Sequence, residues 1–295
     1  MAIEINTAAE FAALVNLSEE ERGTADSLID ININEDLDFA EIENFTGLGT
    51  TLYYANVNGN GHTIKNIVAN TSDAYYLISL GNTSILRNLK FSDNHITTDN
   101  RLYFIRFDNS NDTICENIVI DNTNTFVAGG SIYLFYGKRS GLLFNKVAVS
   151  GSFNAVTVYI FYAATYSSST GTYSTSTIRN CYVIANITVQ QSCYIFYVLY
   201  CYNCFSRCKI SKTKTSGYIY PFYGSSSYAS VPYYCYTANE VTSVDENIYG
   251  IGATSKAVKS FYDNTLLTNA KDTANGQPAE NLKSAEWLRS QGWAI

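Results

Sequence analysis

The stretch Leu86-Arg87-Asn88-Leu89-Lys90-Phe91 decides the fold, because looser copies of it recur along the chain. Each copy reads apolar, polar, Asn or a substitute, apolar, variable and usually apolar. Over seven copies the fourth position falls at Ile67, Leu89, Ile118, Val147, Cys181, Cys208 and Cys235. These positions are 22, 29, 29, 34, 27 and 27 residues apart. A strand-like repeat of this length cannot bury its apolar side alone and is expected to stack on its neighbours.

A second phrase, which begins with tyrosine, lies between the copies of the first. Its copies start at Tyr76, Tyr103, Tyr133, Tyr159, Tyr194 and Tyr220. Each repeat thus holds two runs rich in β-branched and aromatic residues, with no helical period between them. A β-sandwich has no reason to repeat one phrase in register, whereas a parallel β-helix does. The sequence predicts an all-β parallel β-helix of about seven rungs, which at about 4.8 Å per rung is a rod roughly 30–35 Å long.

The two ends of the chain differ from its middle. Residues 1–50 are predicted to be an N-terminal cap, in which Thr7 and Glu10 form a capping box before a helix. Residues 51–240 are the predicted β-helix. Residues 241–295 are the predicted C-terminal cap, with a short helix that ends near Gly292 and with Trp287 and Trp293 as an apolar plug. An open end of a β-helix exposes unpaired strand edges, so caps are expected.

Charge is spread unevenly along the chain. The net charge of -7 disfavours nucleic-acid binding by the whole protein. Between residues 122 and 239 there is no Asp or Glu, but there are eight Lys or Arg and 18 of the 25 tyrosines. This composition favours a soluble rod with acidic ends. The alternative is a surface that faces anionic glycans or a partner protein.

The start of the sequence bears on location. Residues 1–5 show no basic stretch followed by an apolar one, and no run of 18 apolar residues exists. We therefore expect synthesis in the cytosol without export by the general secretory route, and no membrane insertion. The seven cysteines are an odd number, so at least one is expected to be unpaired in a monomer.

The sequence offers few candidate catalytic or metal-binding residues. Glycosidase action needs paired carboxylates, and the acids that could cluster are Asp108, Asp112 and Glu116; solvated turn residues are the alternative. A metal site at Cys201, Cys204 and Cys208 lacks a nearby His or acid. Neither a metal nor a cofactor is predicted. Columns of stacked side chains are expected instead, one of Cys181, Cys208 and Cys235 and one of Asn66, Asn88, Asn117 and Asn180.

Strict alternation in the tyrosine phrase would leave one apolar side of the strand exposed. That side is predicted to be a ligand-binding or oligomer stripe of Leu134, Tyr136, Ile160, Tyr162, Ile195, Tyr197 and Tyr223. A stripe of this size exceeds the usual apolar patch of a soluble monomer. It favours a subunit interface, most simply in a trimer of parallel rods. A carbohydrate-stacking platform is the second interpretation. Polar inserts at 166–176 and 224–228 are expected to project as loops, with binding or plain solvation as the alternatives.

The chain resembles the GLUG-type repeat proteins. The resemblance rests on Val57-Asn58-Gly59-Asn60-Gly61-His62-Thr63-Ile64, on the repeated Ile-Arg-Asn-Leu phrases and on Leu288-Arg289-Ser290-Gln291-Gly292-Trp293, and it covers nearly the whole chain. It implies a right-handed β-helix of the kind found in bacterial surface proteins and in phage fibres and appendages. The sequence departs from the family at the Gly-Leu-Phe-Gly step, where it has Tyr-Leu-Phe-Tyr-Gly at Tyr133-Leu134-Phe135-Tyr136-Gly137.

The rod fold, the missing export signal and the scarcity of acids in the central rungs predict a non-enzymatic virion protein, and the resemblance implies that it is a phage protein. It would be a fibre, a spike or a capsid or tail decoration, assembled in the host cytoplasm with other virion proteins and in contact with host surface glycans. Two alternatives remain. One is a polysaccharide depolymerase that uses Asp108, Asp112 and Glu116. The other is a bacterial adhesin at the cell surface or outside the cell.

Overall fold

The chain winds into a parallel β-helix of about eight turns. The computed structural model describes residues 2–108, 112–137, 141–163, 166–167, 172–173, 176–222, 231–244, 247–252, 257–272 and 275–293. Successive strands pair in parallel and in register, which confirms the predicted architecture. Ile118 is in register with Leu89 on one side and with Val147 on the other. The next turn continues this column, because the backbone N–H of Val147 donates to the thiol of Cys181.

The cross-section of the coil has four strand faces. Face 1 comprises Ala2–Ile5, Ile29–Ile33, Ala55–Asn58, Thr177–Arg179, Tyr200–Tyr202, Val231–Tyr233 and the first parts of Ile85–Ser92, Thr113–Ile120 and Leu142–Tyr162. Face 2 comprises Leu37–Asp38, Thr63–Lys65, Phe205–Ser206, Tyr236–Thr237, Phe261–Asp263, Gly276–Gln277, the later parts of Ile85–Ser92 and Thr113–Ile120, part of Leu142–Tyr162 and the start of Tyr182–Tyr197.

The other two faces complete each turn. Face 3 comprises Val68–Thr71, His95–Thr98, Thr125–Ala128, Lys209–Lys212, Glu240–Ser243 and the middle parts of Leu142–Tyr162 and Tyr182–Tyr197. Face 4 comprises Leu52–Tyr53, Tyr75–Leu80, Leu102–Phe107, Ser131–Gly137, Ile219–Phe222 and the ends of Leu142–Tyr162 and Tyr182–Tyr197. A two-stranded antiparallel pair, Tyr166–Ser167 with Thr172–Tyr173, lies in the connection from face 4 to face 1. The 224–228 insert falls in the same connection of a later turn, outside the described residues.

The corner between faces 1 and 2 explains the asparagine of the repeated phrase. From Asn88 onward one residue per turn adopts a left-handed backbone there, with φ between 47° and 56°, at Asn88, Asn117, Lys146, Asn180, Asn203, Tyr234 and Lys259. Asn adopts this conformation more readily than most residues, because its short side chain can bond locally. The Asn117 amide donates to the Asn88 side chain at 2.8 Å, and Asn203 donates to Asn180 at 3.3 Å. The corner therefore selects Asn both for backbone conformation and for bonding along the rod.

Three members of the predicted columns lie elsewhere. Ile67 and Asn66 belong to the corner between faces 2 and 3, since Lys65 pairs with Ser92 and Val68 pairs with His95. The copy at residues 64–69 is thus a coincidence of composition at another corner. Cys208 likewise lies at the corner between faces 2 and 3, where its N–H donates to Asn239.

Cys204 takes the place predicted for Cys208. The pairings of Arg179 with Tyr202 and of Tyr202 with Tyr233 place Cys181, Cys204 and Cys235 in one buried column. The sequence error arose because Cys204 and Cys208 are four residues apart, and the connection before this turn is shorter than its neighbours.

Helices occur near both ends of the chain. The first helix, Ala8–Ala13, has the predicted capping box: Thr7 accepts from the Glu10 N–H, and Glu10 accepts from the Thr7 N–H. Short 3-10 helices follow at Leu14–Asn16 and Glu20–Arg22, and two further helices lie at Ala279–Lys283 and Ala285–Ser290. Strands of the coil occur before residue 51 and after residue 240, so the parallel ladder continues into both predicted end segments. Among the described residues, no helix has the length and apolar character needed to cross a membrane.

Candidate functional site

Face 4 carries two columns of tyrosine side chains, which together are called the tyrosine face. The first column is Tyr76, Tyr103, Tyr133, Tyr159, Tyr194, Tyr220 and Tyr249. The second column is Tyr136, Tyr162 and Tyr197. Parallel pairing in register places like residues above like, as the repeated tyrosine phrase predicts. The predicted site residue Tyr223 lies outside the described residues.

The strand bends in the middle of the phrase, so its residues do not alternate. In the turn at 133–136, Leu134 and Phe135 are both fully buried, and the flanking tyrosines are half-buried. The prediction that Leu134, Ile160 and Ile195 belong to an exposed stripe is therefore wrong, since all three have no exposed area. A bend turns two successive side chains into the core, which alternation in a straight strand does not allow. Tyr136, Tyr162 and Tyr197 do reach the surface.

The rings of the first column are stacked along the rod. Tyr133 lies 4.9 Å from Tyr103 and 4.7 Å from Tyr159, measured between ring centroids, and is within 4° of parallel to both. Tyr159 and Tyr194 continue the stack at 4.8 Å. The spacing equals the distance between neighbouring strands, so the backbone ladder itself holds the rings in contact.

The second column packs against the first at right angles. The ring of Tyr136 meets the rings of Tyr103 and Tyr133 at 5.2 and 5.3 Å, with interplanar angles of 85° and 83°. Tyr162 repeats the arrangement one turn further along, against Tyr133 and Tyr159. Edge-to-face contact suits the positive edge and negative face of aromatic rings. The two columns therefore interlock into one continuous aromatic surface.

This geometry decides what the tyrosine face can bind. A ring within a column has another tyrosine on each side, so its edge and its hydroxyl group are what it presents to solvent. A saccharide cannot lie flat on such a ring. The predicted stacking platform is thus replaced by rows of phenol groups. A phenol hydroxyl can both donate and accept a hydrogen bond, and those of Tyr103 and Tyr220 already bond Arg101 and Tyr249. Burial, and then the neighbouring Tyr103, raise the pKa values of Tyr133 and Tyr136, so these hydroxyls are neutral at physiological pH.

Two arginines border the tyrosine face near its N-terminal end. The Arg106 guanidinium lies 5.7 Å from the centroid of the Tyr76 ring and forms an ion pair with Asp108 at 2.9 Å. Arg101 is exposed and hydrogen-bonds the side chain of Tyr103. Arg101 therefore adds a positive charge to the tyrosine face, whereas the charge of Arg106 is offset by Asp108.

The three acids named for a depolymerase occupy different positions on the coil. Asp108 is engaged by Arg106, in the connection from face 4 to face 1. Asp112 is exposed at the end of the same connection, and Glu116 lies on face 1 in register with Arg87. Four residues of extended strand separate the last two by roughly 13 Å along the backbone. The described part of the chain contains no group of three His, Cys, Asp or Glu side chains arranged to hold a metal.

The sequence did not identify Tyr103, Tyr133 and Tyr159 as surface residues. Alternation assigned them to the same side as the buried phenylalanines. The apolar pattern alone could not have found them, because it is the same for a bent strand and for a straight one.

Comparisons with known proteins bear on the fold. No family model matches the sequence, and no curated protein matches it. A solved structure from Bacteroides ovatus, described as a "putative immunoglobulin A1 protease", aligns with a TM-score of 0.54 over 98% of this chain and 86% of that chain. The two sequences are 14% identical. At this identity the similarity is one of fold alone, and it supports a parallel β-helix.

Proposed function

We propose that this chain is a non-catalytic rod of a phage particle, namely a fibre, a spike or a capsid or tail decoration, that contacts host surface glycans through its tyrosine face. The observation that carries the proposal is the first tyrosine column, which places seven tyrosines in successive turns, six of them partly exposed and Tyr220 buried. A surface of identical groups at a fixed spacing suits a ligand that is itself a repeating polymer.

The chemistry of the columns supports a polyhydroxylated ligand. Sugar hydroxyl groups can donate to and accept from neutral phenols. Each contact is weak, but contacts made in several turns by one polymer add as linked binding events, which raises the overall affinity. The absence of Asp and Glu from residues 122–239 removes repulsion of an acidic polysaccharide along the middle turns of the rod. Arg101 adds an attractive charge at one end.

The assignment to a virion is supported by the GLUG-type resemblance. A trimer built on the apolar stripe loses its basis, because Leu134, Ile160 and Ile195 are buried inside a single rod. Contacts with other virion proteins would have to use surfaces other than the one predicted.

The proposal is tested by binding and cleavage assays on the same samples. The protein is incubated with a panel of purified bacterial capsular and lipopolysaccharide glycans, and both bound protein and newly formed reducing ends are measured. We expect retention on at least one acidic polysaccharide with no release of reducing ends. Retention on none would remove the glycan function. Cleavage that is abolished by Glu116→Gln would replace the proposal with a depolymerase.

A further inference from the structure

A second aromatic site lies away from the tyrosine face, at the corner between faces 1 and 2 in the last turns of the coil. It is a cleft of about 560 Å³, called here the aromatic cleft. Its lining is Tyr202, Asn203, Cys204, Phe205, Tyr234, Tyr236, Gly292 and Trp293. This volume lies within the range usual for small-ligand sites, roughly 300–1,000 Å³. The sequence assigned Trp293 to a plug, Gly292 to a helix end and Cys204 to a candidate metal site, and it predicted no ligand site that joins these residues.

The walls of the cleft are formed by aromatic rings that stack between successive turns and by Trp293. Tyr202 stacks beneath Tyr233 at 4.9 Å, and Phe205 is within 10° of parallel to Tyr236. Tyr234 occupies the left-handed corner position. The ring of Trp293 stands at 89° to that of Tyr234, with 6.0 Å between ring centroids.

The position of Trp293 is fixed by two hydrogen bonds. Its indole Nε1–H donates to the Lys259 carbonyl, and its backbone N–H donates to the Leu288 carbonyl, both at 3.0 Å. The cleft therefore has a preformed aromatic corner made of two perpendicular rings, Tyr234 and Trp293. In the tyrosine columns, by contrast, each inner ring is covered on both sides.

Positive charge borders the cleft. The Arg179 guanidinium lies 5.8 Å from the Tyr202 ring centroid, and the Lys259 ammonium lies 5.4 Å from that of Tyr234. Both residues are exposed, and the Lys259 side chain also lies against Gly292. Burial, and then the charge of Asp263, raise the pKa of the lining residue Tyr236; Asp263 is itself buried and accepts hydrogen bonds from Thr265. The rim thus presents cations to an incoming ligand.

We propose that the aromatic cleft binds a carboxylated pyranose, that is, an acidic sugar residue of a glycan. The apolar face of the pyranose packs on the aromatic corner, and its carboxylate pairs with Arg179, while Lys259 adds a second positive charge at the rim. Asn203 supplies an amide for a ring hydroxyl group. This inference rests on the proposed glycan function and deepens it, because it names the sugar class and a second site for it.

The test uses tryptophan fluorescence, since the chain has two tryptophans and one of them lines the cleft. Trp287→Phe in the full chain leaves Trp293 as the single reporter. Four sugars are titrated separately into this protein. The affinity for trigalacturonate is compared with that for its methyl ester, and the affinity for sialyllactose is compared with that for lactose. The first pair represents hexuronic acids, and the second represents sialic acids. We expect saturable change of Trp293 emission with at least one acidic sugar and affinity about tenfold weaker for its neutral counterpart.

Arg179→Gln and Arg87→Gln form the matched pair of variants in this background. Both arginines are exposed on face 1 and belong to one register column, three turns apart. We expect Arg179→Gln to weaken binding of the acidic sugar about tenfold without changing the neutral one, and Arg87→Gln to change neither. Equal affinity for the acid and its ester, no emission change with any sugar, or an unchanged Arg179→Gln variant would overturn the inference.

The outcomes also separate this inference from the proposed function. Polysaccharide retention that survives Arg179→Gln, with no response of Trp293, would leave the tyrosine face in place and remove the cleft. Sugar-dependent emission of Trp293 in a protein that retains no polysaccharide would support the cleft and remove the tyrosine face as a glycan site.

Discussion

The rings of Tyr133 and Tyr159 lie 2° from parallel with their centroids 4.7 Å apart, although the two residues belong to different turns of the chain. The contact exists because the strands that carry them pair in register, with Phe135 facing Phe161 in the core of the same turns. One strand thus places a phenylalanine in the core and a tyrosine at the surface of each turn. The same strand therefore contributes to the core and to the surface that we propose binds glycans.

Truncation of one ring in the first column should destabilise the rod. Tyr133→Ala removes stacking with two neighbours and two edge-to-face contacts, and we expect a loss of about 2–3 kcal/mol in the free energy of unfolding. Tyr133→Phe keeps the ring and should cost less than about 1 kcal/mol. Urea unfolding followed by circular dichroism measures both. Equal midpoints for Tyr133→Ala and wild type would show that the column adds nothing to stability.

Alkaline pH should loosen the tyrosine face. Burial raises the pKa values of Tyr76, Tyr133 and Tyr136 above the ordinary value of 10.0, and neighbouring tyrosines add to the effect. A group whose pKa is higher in the folded state gives stability that is complete below its unfolded pKa and is lost as pH rises through the folded value. Unfolding stability should therefore fall from about pH 10 upward. In a pH titration of the native protein, absorbance at the tyrosinate band should show one group of tyrosines that ionises near the ordinary pKa and another that ionises at higher pH. In denaturant all tyrosines should ionise near the ordinary pKa. A single transition at the ordinary pKa in the native protein would contradict this.

Replacement of the corner residue Lys146 by asparagine should stabilise the rod. It adopts φ 55° in a column where the neighbouring turns carry Asn117 and Asn180. Because a left-handed backbone costs an ordinary residue about 1–2 kcal/mol, Lys146→Asn should stabilise the rod by about 0.5–1 kcal/mol and raise the melting temperature. The reverse change, Asn117→Lys, is the matched control and should lower it. A fall in melting temperature with Lys146→Asn would contradict the corner account.

The cysteines should be chemically silent in the folded protein. All seven are free and buried, and burial raises the pKa of Cys208 to about 12. The thiolate is the reactive form, so a thiol reagent at neutral pH should label none of them in native protein and all seven in denaturant. Rapid native labelling of Cys204 would show that the column of Cys181, Cys204 and Cys235 is not in the core.

Much of the architecture follows from spacing alone. The repeated phrase around Leu89, Ile118 and Val147 predicted the register that the strands adopt, because identical columns are what a parallel coil needs. The tyrosine phrase predicted its own alignment in every described turn for the same reason. The number of residues between two copies of the phrase does not show which corner of the coil a copy occupies. Ile67 and Cys208 were for this reason placed in the wrong column.

The site was harder to predict than the fold. Whether a tyrosine points out depends on a bend within four residues, and the pattern of apolar residues does not distinguish a bent strand from a straight one. Leu134 was therefore placed outside and Tyr133 inside. The aromatic cleft joins Tyr202 to Trp293, which are 91 residues apart in sequence, and no local pattern connects them.

The most direct test of the account is the affinity for a retained polysaccharide as hydroxyl groups are removed from the first column one turn at a time. The series is Tyr103→Phe, then Tyr103→Phe with Tyr133→Phe, with Tyr200→Phe on face 1 as the control. Calorimetric titration should give affinity that falls at each step by a factor of about 3–10, while Tyr200→Phe binds as wild type does. Wild-type affinity in the double variant would show that the tyrosine face does not hold the glycan.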